Sequence, residues 1–173
     1  MGQYYIITNK SKKEYLCPHT FNDGLKLMEF SSGRQGIMQG LALLLAQGNG
    51  MGGGDYRPEN LKYIHLVGSW ANDKVSIVGD YFEDGKHYEL ARKKWKDISK
   101  DVLKMMLQDY WVRSEVKKGL EEHGSRYLFG DYQTVIEEEF PEKMKEIYKR
   151  EQAQEEFRKR LIESKDAKKN TFS

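Results

Sequence analysis

The chain opens on an aromatic and β-branched run, Gln3 to Thr8, which predicts a strand. A polar stretch, Asn9 to Lys13, predicts a turn. Glu14 to Cys17 then predicts the returning strand of a hairpin, stopped by Pro18. Leu25 to Phe30 is a short apolar run that fits either a helix or a strand. Gly36 to Gln47 has helical spacing and ends at Gly48; Gly36 and Gly40 share a face, which suits close approach to a sheet. Tyr63 to Trp70 and Lys74 to Tyr81 predict two strands joined through Ala71-Asn72-Asp73, with Glu83-Asp84-Gly85 as a further turn.

The second half has a different period. Ala91, Trp95, Ile98, Val102 and Met105 recur at three- and four-residue steps and predict one helix over Tyr88 to Tyr110. Arg113 to Glu122 predicts a shorter helix closed by His123-Gly124, followed by Tyr127 to Phe129 and a turn at Gly130-Asp131. Pro141 fits the first turn of a last helix with Phe140, Met144, Ile147 and Tyr148 on its inner face. Beyond Lys149 the charges alternate in sign around few anchors, Phe157 and Leu161. A projecting helix is expected there, or one that pairs with a second copy as a homodimer, with the last eight residues disordered. The fold class is therefore α+β: a small, mostly antiparallel sheet with one packed helix, then a charged helical half. The division falls into a glycine-rich scaffold over residues 1–87 and a helical region over 88–173.

Charge sharpens this division. Residues 1–90 hold 9 Lys+Arg and 10 Asp+Glu, whereas residues 91–173 hold 20 and 17. Thirteen of the 16 glycines lie before residue 90. The longest apolar run, Leu41 to Ala46, is far shorter than the roughly 20 residues that span a bilayer, and no basic stretch followed by an apolar core opens the chain. With one cysteine, Cys17, a disulfide framework is excluded, and the expected setting is cytoplasmic and reducing.

Three patterns could carry chemistry. The first is the loop Gly48 to Asp55, five of whose first seven residues are glycine. Gly52, Gly53 and Gly54, followed by Asp55, could cup an anion with their amides. No Gly-Lys-Ser/Thr ends the loop and no helix clearly follows it, so neither phosphate-binding fingerprint is met, and a flexible connection is the alternative. The second is a lysine row, Lys93, Lys96, Lys100 and Lys104, flanked by Arg92. From Arg92 to Lys104 there are six basic and two acidic residues. Such a stripe can track a nucleic-acid backbone, dock on an acidic protein surface, or simply be a solvated face.

The third is a scatter of carboxylates and histidines. Asp80, Glu83 and Asp84 start like a calcium loop, but Phe82 and Ala91 break the pattern. Asp55, Asp80 and Asp84 are candidate Mg²⁺ ligands of a ribonuclease, with Arg34 or Lys74 on the phosphate. His65, or another of the four histidines, could serve acid–base RNA cleavage without metal. No cofactor other than Mg²⁺ is implied.

Read together, Met1-Gly2-Gln3-Tyr4-Tyr5, the run Asn22 to Phe30, Gly52-Gly53-Gly54-Asp55, Val67 to Asp73 and Val78-Gly79-Asp80-Tyr81 resemble a family of small bacterial and mobile-element proteins that has no assigned activity. The resemblance covers about residues 1–85 and brings no catalytic residue with it, but it implies that these loops belong to one shared scaffold, which adds Trp70 and Asp73 to Asp55 and Asp80 as candidate ligand-site residues. In style, a small chain with a charged appendage is similar to phage counter-defence proteins of the anti-CRISPR kind. The leading expectation is thus an interaction protein for a nucleic acid or nucleoprotein partner. A ribonuclease and a binder of a small anionic ligand such as a nucleotide are the alternatives.

Overall fold

Tyr5–Asn9 (β1) and Glu14–Leu16 (β2) form the predicted hairpin, with Ile7 opposite Leu16 and Thr8 opposite Tyr15. In the computed structural model, which describes residues 2–32, 35–50 and 52–170, this hairpin is the centre of a four-stranded sheet. Val75–Gly79 (β3) lies antiparallel along β1, and the two-residue strand Lys96–Asp97 (β4) lies parallel to β2, giving the order β3-β1-β2-β4. Alternation sends successive side chains to opposite faces. Ile7 and Leu16 enter the main core, while Ile6 and Tyr15 enter a smaller cluster with Ala91.

The helices among the described residues are Leu27–Ser31 (α1), Ile37–Leu45 (α2), Lys86–Lys94 (α3), Ser99–Met106 (α4), Tyr110–His123 (α5), Gly130–Glu139 (α6) and Pro141–Asn170 (α7). With the mixed sheet they make an α+β fold. The main core takes Ile7, Leu16, Phe30, Ile37 and Leu44 from before residue 87, and Val102, Met106, Val112, Ile136, Met144 and Ile147 from after it. α3 covers the other face of the sheet. None of these helices is long and apolar enough to cross a membrane.

Tyr63 to Trp70 is not the expected strand. It is an irregular segment with a 3-10 turn at Ile64–Leu66 and a positive φ of 72° at Gly68. The Gly68 and Trp70 amides donate to the carbonyls of Leu43 and Leu44 at the end of α2, at 2.9 and 2.8 Å. Trp70 is thereby turned into the core with no exposed surface. Gly40 does allow close approach, though to a helix instead of a sheet: a Cβ there would lie 2.8 Å from Val102 Cγ1 of α4.

The helix expected over Tyr88 to Tyr110 is also divided. Trp95 is extended (φ −96°, ψ 161°), and the chain then runs alongside β2. The Lys96 amide donates to the Lys13 carbonyl at 2.9 Å and the Ile98 amide to the Tyr15 carbonyl at 3.2 Å. α4 then begins at Ser99, whose amide and hydroxyl donate to the Asp97 carboxylate at 2.9 and 2.5 Å. The apolar stripe consequently divides too. Ala91 and Trp95 join the small cluster, whereas Ile98, Val102 and Met105 join the main core.

Arg113 to Glu122 falls inside α5, which Asp109 caps and Gly124 closes at φ 66°. Gly130-Asp131 opens the unpredicted α6 instead of forming a turn. α7 starts at Pro141 and buries Met144 and Ile147, with Phe140 buried just before it and Tyr148 left on the rim. Its backbone continues helical to Asn170, past the expected start of a disordered tail; residues 171–173 lie outside the described residues.

Candidate functional site

The segment after β2 turns sharply at Pro18, and its 3-10 turn ends on Asn22 in a left-handed conformation. This turn, the side of α3 and the start of α6 enclose an open cleft of about 800 Å³. Arg92 of α3 forms one wall. Its guanidinium carbon lies 5.7 Å from the Tyr15 ring centre, so the cation rests on an aromatic face. Cys17 is beside it. Burial pushes the Cys17 thiol up from its ordinary value, against the opposing pull of the His19 amide and the Arg92 guanidinium. Burial, with the Asp97 carboxylate, also pushes the Tyr15 phenol up to about 12. The phenol and the thiol are therefore neutral near pH 7.

The opposite wall is the N-terminus of α6. Phe129 at its cap position supplies no side-chain acceptor, so the first amides of the helix keep the unpaired donors that every helix start presents. Phe129 and Gly130 line the cleft, and Phe129 is 62% exposed at the rim. His19 lies exposed in the floor. Three aspartates also line the cleft, each with a partner. Asp23 accepts from the Ile37 amide at the start of α2 at 2.7 Å, Asp97 holds Ser99, and Asp131 pairs with Lys100 at 2.9 Å. Burial raises the Asp23 carboxyl from its ordinary value, against the pull of the Ile37 amide. Arg92 has no carboxylate within 4.0 Å among the described residues. A guanidinium and an uncapped helix start thus face one cavity.

The structure redistributes the lysine row. Lys93 sits on α3, Lys96 on β4, and Lys100 and Lys104 on α4. Lys93 pairs with Glu89 at 2.6 Å, Lys100 with Asp131, and Lys104 with Glu138 at 2.5 Å. The basic stripe is therefore broken between elements and locally neutralised. Of the five cationic candidates among the described residues, only Arg92 lines the cleft; Arg34 lies outside the described residues.

The glycine-rich loop closes on itself. The Gly52 amide donates to the Asp55 carboxylate at 2.7 Å, and the Gly52 carbonyl accepts from Arg57 Nε at 3.2 Å. Asp55 thus occupies an amide that a cradled anion would need, while Gly53 and Gly54 stand in the open. Trp70 is buried and donates to Glu14, and Asp73 accepts from Asn9 at 2.8 Å. The carboxylates do not converge. Asp80 accepts from the Tyr4 amide at 3.0 Å, Asp84 lies 3.8 Å from Lys86, and His65 sits on the turn before Gly68. Among the described residues no group of three His, Cys, Asp or Glu side chains could hold a metal ion.

No family model matches the chain, and no curated protein or solved structure matches it either. The site is accordingly read from its own geometry. Sequence reasoning had Arg92 but missed Phe129 and Gly130, because α6 was hidden behind an apparent Gly-Asp turn. The signal was there: Tyr132, Val135, Ile136 and Phe140 recur at helical spacing.

Proposed function

We propose that this chain is an interaction protein that holds a phosphate-bearing ligand, a nucleotide or a segment of single-stranded nucleic acid, in the Arg92 cleft. The observation that carries the reading is the meeting of an Arg92 without a carboxylate partner and the uncapped start of α6 in one cavity. A guanidinium offers a planar fork of donors to phosphate oxygens, and helix amides add donors aligned with the helix dipole. Exposed Phe129 at the rim gives a base a surface on which to stack. Lys93, Lys100 and Lys104 lie outside the cleft lining, each paired with a carboxylate, and do not form a continuous track.

The test is fluorescence anisotropy with a short labelled uridine RNA, and thermal shift with AMP, both at low ionic strength. Arg92→Gln is expected to weaken binding about tenfold or more, the loss of one charge-assisted contact, with the melting temperature retained. Phe129→Ala is expected to weaken the RNA more than inorganic phosphate. Absence of binding by the unmutated protein, or equal affinity in Arg92→Gln, rejects the reading.

The ribonuclease alternative has one observation in its favour, the presence of His19 in the same cleft as Arg92. Denaturing gels of the same RNA, run with Mg²⁺ and with EDTA, test it. Cleavage that is lost in His19→Ala would move the reading from binding to catalysis.

A further inference from the structure

One rim of the sheet collects an end of every strand. There β1 ends at Asn9, and β2, β3 and β4 begin at Glu14, Val75 and Lys96. The registers hold these ends level, because Asn9 faces both Glu14 and Val75, and Glu14 faces Lys96. Lysines stand at or beside each of them. The Lys10 amide donates to the Lys74 carbonyl and the Lys96 amide to the Lys13 carbonyl, each at 2.9 Å, while the Lys12 amide donates to Asn9 Oδ1 at 3.1 Å on the turn between. Strands about 4.8 Å apart spread Lys74, Lys10, Lys12, Lys13 and Lys96 over about 14 Å. All five are exposed, and none has a carboxylate within 4.0 Å among the described residues. The two carboxylates of this rim are held by buried side chains: Glu14 accepts from the Trp70 indole and Asp73 from Asn9, each at 2.8 Å. Lys13 even occupies a left-handed position of the turn, at φ 55°, where glycine or asparagine sits at less cost.

We propose that this lysine rim carries the sugar–phosphate backbone of a single-stranded nucleic acid, one nucleotide of which enters the Arg92 cleft. Ammonium groups in a row neutralise successive phosphates and release their counterions, whatever the base sequence. The rim also leads into the cleft. Tyr15 and Asp97 line the cleft, one residue beyond Glu14 and Lys96 on the same two strands. A backbone crossing the strand ends from Lys74 to Lys96 thus arrives where Arg92 and the start of α6 take a phosphate. An anionic lipid surface is the poorer fit, because no apolar side chain on the rim, over residues 9–14, 73–75 and 96, stands exposed to enter it. The choice of a nucleic acid as the partner rests on the phosphate reading of the cleft. It also narrows that reading from a free nucleotide to a strand.

Fluorescence anisotropy on the full chain, with a labelled oligouridine of about 12 nucleotides, tests it beside the thermal shift with AMP. The rim variant combines Lys10→Gln, Lys12→Gln and Lys74→Gln, three exposed residues outside the cleft. Its RNA affinity is expected to fall about tenfold or more. The slope of log affinity against log salt should lose about 2, at about 0.7 for each phosphate contact given up. Stabilisation by AMP should stay as it is. Lys93→Gln, Lys145→Gln and Lys159→Gln combined removes the same charge from paired lysines elsewhere and should keep both affinity and slope. The proposal is overturned by an unchanged slope in the rim variant, by an equal loss in the control, or by phosphatidylserine vesicles binding more tightly than the RNA at the same salt. The two sites separate cleanly. AMP binding that depends on Arg92, with RNA affinity intact in the rim variant, rejects the rim and keeps the cleft. RNA binding lost in the rim variant, with Arg92→Gln changing neither ligand, keeps the rim and rejects the cleft.

Discussion

The indole N–H of Trp70 donates to the Glu14 carboxylate at 2.8 Å, tying the irregular segment after the glycine-rich loop to the second strand of the hairpin. The tryptophan is fully buried, and Glu14 stands at the strand end where β4 joins β2. One hydrogen bond thus satisfies the only polar atom of the largest buried side chain. Glu14→Leu leaves that N–H without its acceptor and is expected to destabilise the fold by about 1–3 kcal/mol, whereas Glu14→Gln should lose less. Trp70→Ala is expected to cost about 3–5 kcal/mol through the cavity it opens. Urea unfolding followed by circular dichroism measures all three, and an unchanged midpoint in Glu14→Leu would reject this role for the pair.

A second carboxylate does more than its neighbours in sequence suggest. Asp109 accepts from the Trp111 amide at 2.9 Å and the Val112 amide at 3.3 Å through Oδ1, and from the Arg57 amide at 2.9 Å through Oδ2. It starts α5 and pins the far end of the glycine-rich segment in one step. Beside it, the buried Tyr56 hydroxyl donates to the Met105 carbonyl at 2.7 Å. Asp109→Ala should destabilise by about 2 kcal/mol, the upper end for a lost helix cap, because a third donor is orphaned with it. Asp109→Asn should recover part of this. Faster hydrogen exchange at both Arg57 and Trp111 in Asp109→Ala is the specific signature; a change confined to α5 would show that the Arg57 bond contributes nothing.

How far these relationships could be read in advance depends on whether local chemistry or distant pairing decides them. The hairpin was legible because an aromatic and β-branched run ends in a polar turn and Pro18. α2 was legible because Gly36 and Gly48 bracket an apolar run, and the start of α7 because Pro141 has few other places in a helix. The break at Trp95 was not legible. Ala91, Trp95, Ile98 and Val102 keep helical spacing although they serve two cores on opposite faces of the sheet. Only the backbone of Lys13 and Tyr15, some 80 residues away, decides that Lys96–Asp97 is a strand. The candidate site inherits that gap. Arg92 read as one cation in a row, and its separation from Lys100 and Lys104 follows from the break.

The thiol of Cys17 reports on Arg92. Burial raises its pKa above the ordinary value of 9.0, and the guanidinium opposes the rise. Fewer thiolates at a given pH mean slower alkylation, so iodoacetamide should react more slowly with the folded protein than with the urea-unfolded chain at pH 8. Arg92→Gln removes an opposing charge and should move the pH profile of alkylation further up. A profile that shifts down, or does not shift, would place Arg92 away from the thiol and weaken the electrostatic account of the cleft.

Gly68 carries the last prediction. It sits at φ 72°, and its amide bonds to Leu43 at the end of α2. A Cβ at this position would press into the Ala46 carbonyl oxygen, a backbone atom that cannot turn aside. Gly68→Ala therefore combines a left-handed conformation, which costs an L-residue roughly 1–2 kcal/mol, with a steric clash. The expected loss exceeds about 2 kcal/mol and should carry Trp70 with it, since the Trp70 amide bonds to Leu44 only two residues on. Gly48→Ala and Gly53→Ala, where nothing lies within 4 Å of the added carbon, are the controls and should stay within about 0.5 kcal/mol. Equal losses in all three variants would mean that the loop tolerates or resists side chains generally, and that the Gly68 turn is not what redirects Trp70 into the core.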